Sequence, residues 1–491
     1  MQLKYINTLV YLKKNQLFLI LLLFWSFLWA SLNSYPVEIY PLTFEEEFNI
    51  HKFFKLIFNS RIYIPLIFTS IGLIIILFKI QILKKSYFLI IYILFFFSQL
   101  IGLALYDFEN FTIERIYLVI QAFNALLILY IANNVLNRDQ IKKFFLINII
   151  FLVIIVIFYL PLIYIDYFNH QSFYLYNSQT WSENFIGEPI IRVTGLARIL
   201  SLISFIILLK LITNISNLTK LFLILLLIFI GISIWGLQSR LAFACYAITL
   251  LIYFILFVRK KIFINLVTIF LIIFFSIEGF NYIAKHKVID TRANSTTDNS
   301  TTDNSTTDNS TPDNRLLSTF KSLTNNSDIA DRNSNSIAYI TSSRNIIWLK
   351  IIKDYDYKKI FGYGPQADRY VILSPVEDIL DSGYMSNASS SFFYAFICGG
   401  YFSFFLLILL NIHALYLMFT YLKNKIYKNN NNLVINSTFL IIIFLMMRSI
   451  FENSYSLFSL DYLLFVSSII IFEKLLKNNK VNSYKTSTLL A

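Results

Sequence analysis

Charged residues are scarce in this sequence. They make up 14% of its 491 residues, about half of the roughly 25% that soluble domains contain. Hydrophobic residues make up 57%, and phenylalanine alone occurs 50 times. Since a chain with so little polar surface cannot dissolve in water, the composition excludes a soluble globular protein. It indicates an integral membrane protein.

Cysteine and nucleotide-binding motifs are also lacking. Cys245 and Cys398 both fall inside or at the edge of apolar runs, and no CxxC motif or Cys/His cluster occurs, so neither a disulfide scaffold nor a zinc site is expected. P-loop, GxGxxG and GxSxG motifs are missing, which leaves nucleotide hydrolysis, redox and serine esterase chemistry without support. The net charge of +13 is spread between apolar runs, so it does not indicate nucleic-acid binding.

Apolar runs long enough to cross a bilayer recur along the chain. Because a transmembrane helix needs about 18 residues or more, these runs predict about twelve spans. Their predicted ranges are 17–33, 62–78, 87–106, 113–133, 144–164, 196–213, 221–237, 241–258, 262–280, 391–420, 433–449 and 457–473. The first run also fits a cleaved signal peptide, although its length favours an uncleaved span.

Basic residues gather in every second connection between these runs. Arg259-Lys260-Lys261 is one such group, whereas an intervening connection carries Glu45-Glu46-Glu47. Since cytoplasmic loops retain lysine and arginine, the pattern predicts that both termini are cytoplasmic. The predicted organisation is nine spans within 1–280, a large extracytoplasmic loop over 281–390, three spans within 391–473 and a cytoplasmic tail over 474–491.

The large loop begins with a segment of low complexity. Residues 291–314 are dominated by a five-residue repeat, Ser-Thr-Thr-Asp-Asn from Ser295 onward, that contains no apolar side chain. Nothing in such a repeat can offset the entropy lost on ordering, so we predict a disordered linker.

The rest of the loop, 342–390, is predicted to be ordered. Ser342-Ser343 is a suitable cap for a helix from Arg344 to Tyr355, which we expect to lie on the membrane surface. The following Gly362-Tyr-Gly364-Pro365 predicts a turn whose bare backbone N–H groups approach a ligand.

Several arginines are predicted to lie on the outward side of the membrane. Arg240 stands in a short hairpin between two apolar spans, where an arginine costs about 2.5–3.5 kcal/mol on insertion scales. An anionic partner would offset that cost, and snorkelling of Arg240 to the interface is the alternative. Arg198 stands near the start of the sixth span. Arg448 and Glu452 are one helical turn apart, so pairing with each other is the simple explanation for both.

A lipid-linked diphosphate sugar is the anion that fits converging arginines best. The planar guanidinium binds phosphate oxygens two at a time and stabilises a diphosphate leaving group, so no metal and no cofactor are required. Asp354-Tyr-Asp356 has the Asp-x-Asp form with which many glycosyltransferases bind a divalent cation, but we interpret it as coincidental.

Six short motifs, taken in order, resemble the family of O-antigen polymerases and ligases, which are polytopic glycosyltransferases. Between Ile190 and Phe472 they are Arg192-Val-Thr-Gly195, Leu237-Gln-Ser-Arg240, Ser343-Arg344-Asn-Ile-Ile-Trp348, Phe361-Gly-Tyr-Gly-Pro365, Asn387-Ala-Ser-Ser-Ser391 and Arg448-Ser-Ile-Phe-Glu452. The resemblance implies an all-α, GT-C-like fold in a bacterial inner membrane, with the large loop in the periplasm. It also implies metal-independent transfer of a growing glycan from undecaprenyl diphosphate to the hydroxyl of a lipid-linked repeat unit.

The resemblance further implies partners and site residues. The partners are undecaprenyl-diphosphate-linked glycans and membrane lipid, with a chain-length regulator and a flippase as further candidates. The predicted catalytic residues are Arg240, Arg344, Arg448 and Glu452, and the predicted substrate-binding residues are Arg192, Arg198, Gly362, Tyr363, Gly364, Arg369 and Asn387.

Two questions stay open at this point. Ligases of the family carry a catalytic histidine where this loop returns to the membrane, and Ser386-Asn-Ala-Ser-Ser-Ser391 has none. The missing histidine favours a polymerase. One alternative is a ligase, which moves glycan to lipid or protein, and the other is a glycan-lipid flippase or exporter. The general base is also open, the candidates being Glu188, Asp368, Glu377 and Glu452.

Overall fold

The computed structural model describes residues 87–111, 113–170, 193–213, 215–236, 240–257, 344–368, 371, 388–424 and 433–489, together with four isolated helical positions between 67 and 74. Within these ranges the chain is helical and contains no strand. Ten α-helices are described: α1 Tyr87–Tyr106, α2 Ile113–Val135, α3 Arg138–His170, α4 Val193–Leu211, α5 Asn217–Gly236, α6 Arg240–Phe257, α7 Arg344–Asp354, α8 Ser391–Lys423, α9 Leu433–Ser449 and α10 Leu460–Leu489.

Several of these helices have the length and composition of membrane spans. Tyr87–Tyr106, Arg115–Asn134, Asn217–Ile234 and Ser391–Lys423 are long and apolar enough to cross a bilayer. Large apolar side chains of α1 that point away from the protein, such as Ile90, Leu94 and Phe97, are suited to contact with lipid. The prediction of an all-helical membrane protein is confirmed.

Nine of the twelve predicted spans fall on described residues, and each of the nine overlaps a helix. The predicted spans at 17–33 and 262–280, nearly all of the one at 62–78, and the predicted linker at 291–314 lie outside the described residues. The total of twelve spans, the GT-C-like fold and the sidedness therefore stay predictions. One boundary differs, because α10 continues to Leu489 through most of the predicted tail.

The centre of the bundle consists of α9 and α10. These two helices pack on each other, α9 also packs on α4 and α6, and α10 also packs on α2. Hydroxyls buried in α9 donate to carbonyls one turn earlier, as Ser437 Oγ does to Leu433 O at 2.8 Å, so they need no other partner. Lys474 of α10 donates to the carbonyls of Asn133 and Leu136 at the end of α2, where helical carbonyls lack intrahelical donors.

The helix α8, which packs on α1, is broken near its start. Gly400 has φ 65° and ψ −162° inside Ser391–Lys423, a conformation that glycine adopts at little cost and other residues rarely adopt. The predicted span 391–420 is therefore two segments, a short one up to Gly399 and a long one from Tyr401. Such a break exposes the last carbonyls of the short segment, which then need donors from elsewhere.

Candidate functional site

The helix predicted from Arg344 to Tyr355 is confirmed, with its last helical residue at Asp354. Its Trp348 stacks on Phe393 of α8, with ring centroids 5.2 Å apart and planes 14° from parallel. The indole Nε1 donates to the carbonyl of Ala388 at 2.9 Å. Trp348 therefore ties α7 to the segment that leads into α8. The location of α7 on the membrane surface stays a prediction.

The glycine turn is also confirmed, with φ 67° at Gly362 and 93° at Gly364. The expectation that its N–H groups are bare is wrong. The N–H groups of Tyr363 and Gly364 donate to the carbonyls of Ile397 and Cys398, each at 2.9 Å, and that of Gly362 donates to Lys359 O at 3.3 Å. The reason is the break in α8, whose exposed carbonyls take up the amides of the turn. Substrate binding by Gly362, Tyr363 and Gly364 through these amides is therefore not available in this structure.

Arg115 of α2 holds the same turn from the other side. Its side chain is fully buried. Nε donates to Pro365 O at 2.9 Å, Nη2 to Tyr363 O at 2.8 Å, and Nη1 to the carboxylate of Asp107 at 2.5 Å. A guanidinium that bonds on all three nitrogens to the protein is a structural anchor. It ties the turn to α1 and α2.

The segment that returns to the membrane is held by polar side chains. Asp368 is buried, and its Oδ2 accepts the N–H of Ala388 at 2.9 Å. The N–H of Ser390 donates to Asn453 Oδ1 at 2.9 Å, and that of Ser391 donates to Glu452 O at 3.0 Å. Because a general base has to reach the acceptor hydroxyl, the buried Asp368 is a poorer candidate for that role than an accessible carboxylate.

Three charged side chains meet where α4 and α10 begin and α9 ends. Arg198 Nη1 lies 2.9 Å from Asp461 Oδ1, and Arg448 Nη1 lies 2.8 Å from Asp461 Oδ2. Ser454 Oγ also donates to Asp461 Oδ2, at 2.6 Å. The sequence-based reasoning missed Asp461. The signal was available, since Asp461 is an acidic residue near the start of the apolar run 457–473 that was assigned as a span, and the other acidic residue of that run, Glu473, stands at its last position.

The predicted pairing of Arg448 with Glu452 is wrong. The helix α9 ends at Ser449, and a turn closed by the N–H of Phe451 and Arg448 O carries Glu452 away from the helical position. Glu452 instead pairs with Arg344, with Nη2 and Oε1 2.9 Å apart. It is close enough to interact electrostatically with Arg198 and Arg448 as well.

These five residues form one group, here called the charged cluster: Arg198, Arg344, Arg448, Glu452 and Asp461. Three positive and two negative side chains give it a net charge of +1. The Nε–H groups of Arg198, Arg344 and Arg448 have no hydrogen-bond acceptor among the residues that the structure describes. The cluster therefore combines excess positive charge with buried donors that have no acceptor among the described residues.

The structure describes the other predicted site residues only in part. The helix α6 begins at Arg240 and packs on α4 and α9. Cys245 of α6 lies near Arg448, Glu452 and Asp461, so the first turns of α6 lie near the charged cluster. The side chain of Arg240 and the whole of Arg192, Arg369 and Asn387 lie outside the described residues, so their roles stay predictions.

The Asp-x-Asp sequence lies in an exposed turn at the end of α7. Asp354 and Asp356 are exposed, and Asp356 Oδ1 accepts the N–H of Lys358 at 3.1 Å, which closes a local turn. In the described part of the chain, no three His, Cys, Asp or Glu side chains are grouped so that they could hold a metal ion.

The chain matches no protein-family model, no curated protein and no solved structure. A functional conclusion therefore depends on the residues of this chain, and on the charged cluster above all.

Proposed function

We propose that this protein is a polysaccharide polymerase of the O-antigen type in the bacterial inner membrane. It would transfer a growing glycan from undecaprenyl diphosphate to the hydroxyl of a lipid-linked repeat unit, at the outer face of the membrane. The observation that carries the proposal is the convergence of Arg198, Arg344 and Arg448. They come from distant stretches of chain and keep Nε–H donors without acceptors among the described residues. Asp461 and Glu452 offset two of the three positive charges, and the remaining charge is costly at a largely buried site unless a further anion binds there.

Arg344 is the arginine best placed to meet a diphosphate. Its side chain is 20% exposed, whereas that of Arg448 is 6% exposed and that of Arg198 is 12% exposed. Oxygens of the diphosphate would accept hydrogen bonds from Arg344 and displace Glu452 from it. Arg198 and Arg448, held behind by Asp461, would supply further positive charge as negative charge develops on the leaving group.

Glu452 is the carboxylate best placed to act as the general base. Its side chain is 30% exposed, whereas that of Asp461 is 2% exposed and bonded to two arginines. The hydroxyl oxygen of the acceptor would bond to the anomeric carbon of the growing glycan while the bond from that carbon to the diphosphate oxygen breaks. The hydroxyl proton would pass to Glu452, and undecaprenyl diphosphate would leave with the bonding electron pair.

The position of the charged cluster along the helices favours an enzyme over a flippase. Arg198 is the sixth residue of α4, Arg448 the last but one of α9, and Asp461 the second of α10. Transporters bind their substrates near the middle of the membrane, between interrupted helices. Charged residues gathered at helix ends instead suit a reaction at one face of the membrane. A ligase stays the enzymatic alternative, and its expected loop histidine is missing from 386–391.

The test compares Arg344→Ala with Lys353→Ala, which removes an exposed cation from the same helix. We expect Arg344→Ala to abolish long-chain surface polysaccharide, to leave single-unit glycan and to leave protein abundance unchanged, whereas Lys353→Ala keeps the normal ladder on a polysaccharide gel. A normal ladder in Arg344→Ala would contradict the proposal. Loss of the single unit as well would indicate a flippase, and accumulation of lipid-linked polymer would indicate a ligase.

A further inference from the structure

A group of aromatic side chains lies at the far end of α7 and takes no part in the charged cluster. Its centre is Tyr355, which is buried. Tyr357, Tyr363 and Tyr401 surround it edge-on, with ring centroids 5.9, 5.7 and 6.3 Å from that of Tyr355 and planes 79°, 85° and 89° from parallel. Such edge-to-face contacts are favourable and fix the orientation of each ring. These four residues and Tyr106 are here called the tyrosine patch.

Tyr106 joins the patch through a lysine. The Nζ of Lys359 lies 3.9 Å from the ring centroid of Tyr363 and 5.5 Å from that of Tyr106. A cation over two aromatic faces holds the end of α1 against the segment that follows α7. Three separate stretches of the chain therefore contribute to the patch, and their rings are oriented before any ligand binds.

The outer rings of the patch are open to the surroundings. Tyr357 is 54% exposed, Tyr401 43% and Tyr106 36%. In the described part of the chain, the hydroxyls of Tyr106 and Tyr401 have no hydrogen-bond partner. Exposed aromatic faces beside available hydroxyls are the features of a surface that binds a ligand with both apolar and polar groups.

The charged side chains around Tyr357 disfavour lipid tails as that ligand. Asp354, Asp356 and Lys358 are exposed beside Tyr357, and charged side chains are costly in hydrocarbon. With two acidic residues and two lysines, the stretch from Asp354 to Lys359 has no net charge that would attract an anionic membrane surface. We therefore expect a ligand that is in contact with water. Its apolar faces would cover aromatic rings, and its hydroxyls would pair with carboxylates, with the ammonium group of Lys359 and with tyrosine hydroxyls.

A carbohydrate has this combination of groups, since each sugar ring has an apolar C–H face and a rim of hydroxyls. We propose that the tyrosine patch is a glycan-binding subsite that holds the growing chain beyond the unit that reacts. The inference rests on the proposed polymerase function. The eleven residues of α7 separate Arg344 from the patch, a distance of about 16 Å at about 1.5 Å per residue. The patch therefore does not reach the reacting atoms, and it acts on the chain that the diphosphate at Arg344 carries.

The test uses Tyr357→Ala, the double variant Tyr357→Ala/Tyr401→Ala, and Tyr87→Ala as the matched control. Tyr87 is 80% exposed at the opposite end of α1, so its loss removes a similar surface tyrosine away from the patch. We expect the patch variants to make shorter chains at normal protein abundance, because a growing chain that is held less firmly dissociates earlier. Tyr87→Ala should keep the normal distribution of chain lengths.

A binding measurement separates this inference from the polymerase proposal. The probe is the surface polysaccharide of wild-type cells, freed from lipid by mild acid and titrated into purified protein in detergent. We expect Kd to rise at least tenfold in both patch variants and to stay unchanged in Tyr87→Ala and Arg344→Ala. Unchanged binding and chain length in Tyr357→Ala would overturn the subsite alone. A normal ladder in Arg344→Ala would overturn the polymerase proposal, whatever the binding of polysaccharide to the patch.

Discussion

Arg115 and Arg344 both stand near the start of a helix, yet their guanidinium groups are used very differently. Arg115 is fully buried and bonds through all three nitrogens to two carbonyls and the carboxylate of Asp107. Arg344 is partly exposed and bonds to Glu452, while its Nε–H has no acceptor in the described residues. An arginine that bonds to the protein through all three nitrogens stabilises the fold, whereas one whose Nε–H has no acceptor among the described residues has a donor left for a further group.

The same distinction separates the glycine turn from the charged cluster. The turn has the backbone form of an anion-binding loop, but the amides of Tyr363 and Gly364 are both used by the carbonyls of the broken helix α8. In the charged cluster, three arginine Nε–H groups have no acceptor among the described residues, and the net charge is +1. Whether the N–H donors already bond to the protein therefore distinguishes a loop that only resembles a ligand site from side chains that are suited to form one.

The largest effect on stability is expected from Arg115→Ala. The substitution leaves Asp107 and the carbonyls of Tyr363 and Pro365 without this donor, at a cost of about 3–5 kcal/mol for a broken buried pair. Arg344→Ala breaks a partly exposed pair and should cost less than about 1 kcal/mol. Thermal unfolding of the purified proteins in detergent measures both. Equal losses of stability in the two variants would show that the number of bonded nitrogens does not distinguish the structural role of Arg115 from that of Arg344.

A somewhat smaller loss is expected from Asp461→Asn. An amide keeps the shape of the side chain but removes the negative charge that Arg198 and Arg448 share, at a cost of about 3 kcal/mol. Ser454→Ala is the control, because it removes only one hydrogen bond to the same carboxylate, about 1 kcal/mol. The unfolding temperature in detergent should fall more in Asp461→Asn than in Ser454→Ala. If Asp461→Asn were as stable as the wild type, Asp461 would not be the residue that holds the two arginines.

A smaller loss than that of Asp461→Asn is expected from Trp348→Phe. The ring can still stack on Phe393, but the hydrogen bond from Nε1 to Ala388 O is lost, which costs about 1 kcal/mol. The unfolding temperature should fall slightly, and limited proteolysis should cleave faster near the segment that leads into α8. Trp348→Ala removes the stacking too and should lose clearly more. Identical behaviour of the two variants would show that the indole donor, and not the ring, carries the interaction.

Local features of this chain were predictable because they depend on residues close in sequence. The helix from Arg344 follows from the helical spacing of its apolar residues, and the turn at Gly362 and Gly364 follows from the positive φ that glycine permits. The membrane-embedded, all-helical character follows from composition alone. Each of these inferences needed no knowledge of what the segment packs against.

The partners of the charged residues were not predictable in the same way. Spacing along a helix favoured a pair between Arg448 and Glu452, but α9 ends before Glu452 and the bundle supplies Asp461 and Arg344 instead. The break in α8 was missed for a similar reason. The Gly399-Gly400 pair is visible in the sequence, but the break is stabilised by amides that come from Tyr363 and Gly364, more than thirty residues earlier in the chain.

The hydrogen bonds between the glycine turn and the broken helix α8 hold this part of the large loop, which follows the repeat in sequence, against the helical bundle. Residues 344–368 are held by contacts with α1, α2 and α8. We therefore expect that gain or loss of copies of the five-residue unit after Ser295 leaves Arg344 beside Glu452. The length of the repeat and the geometry of the charged cluster are thus set by separate parts of the chain.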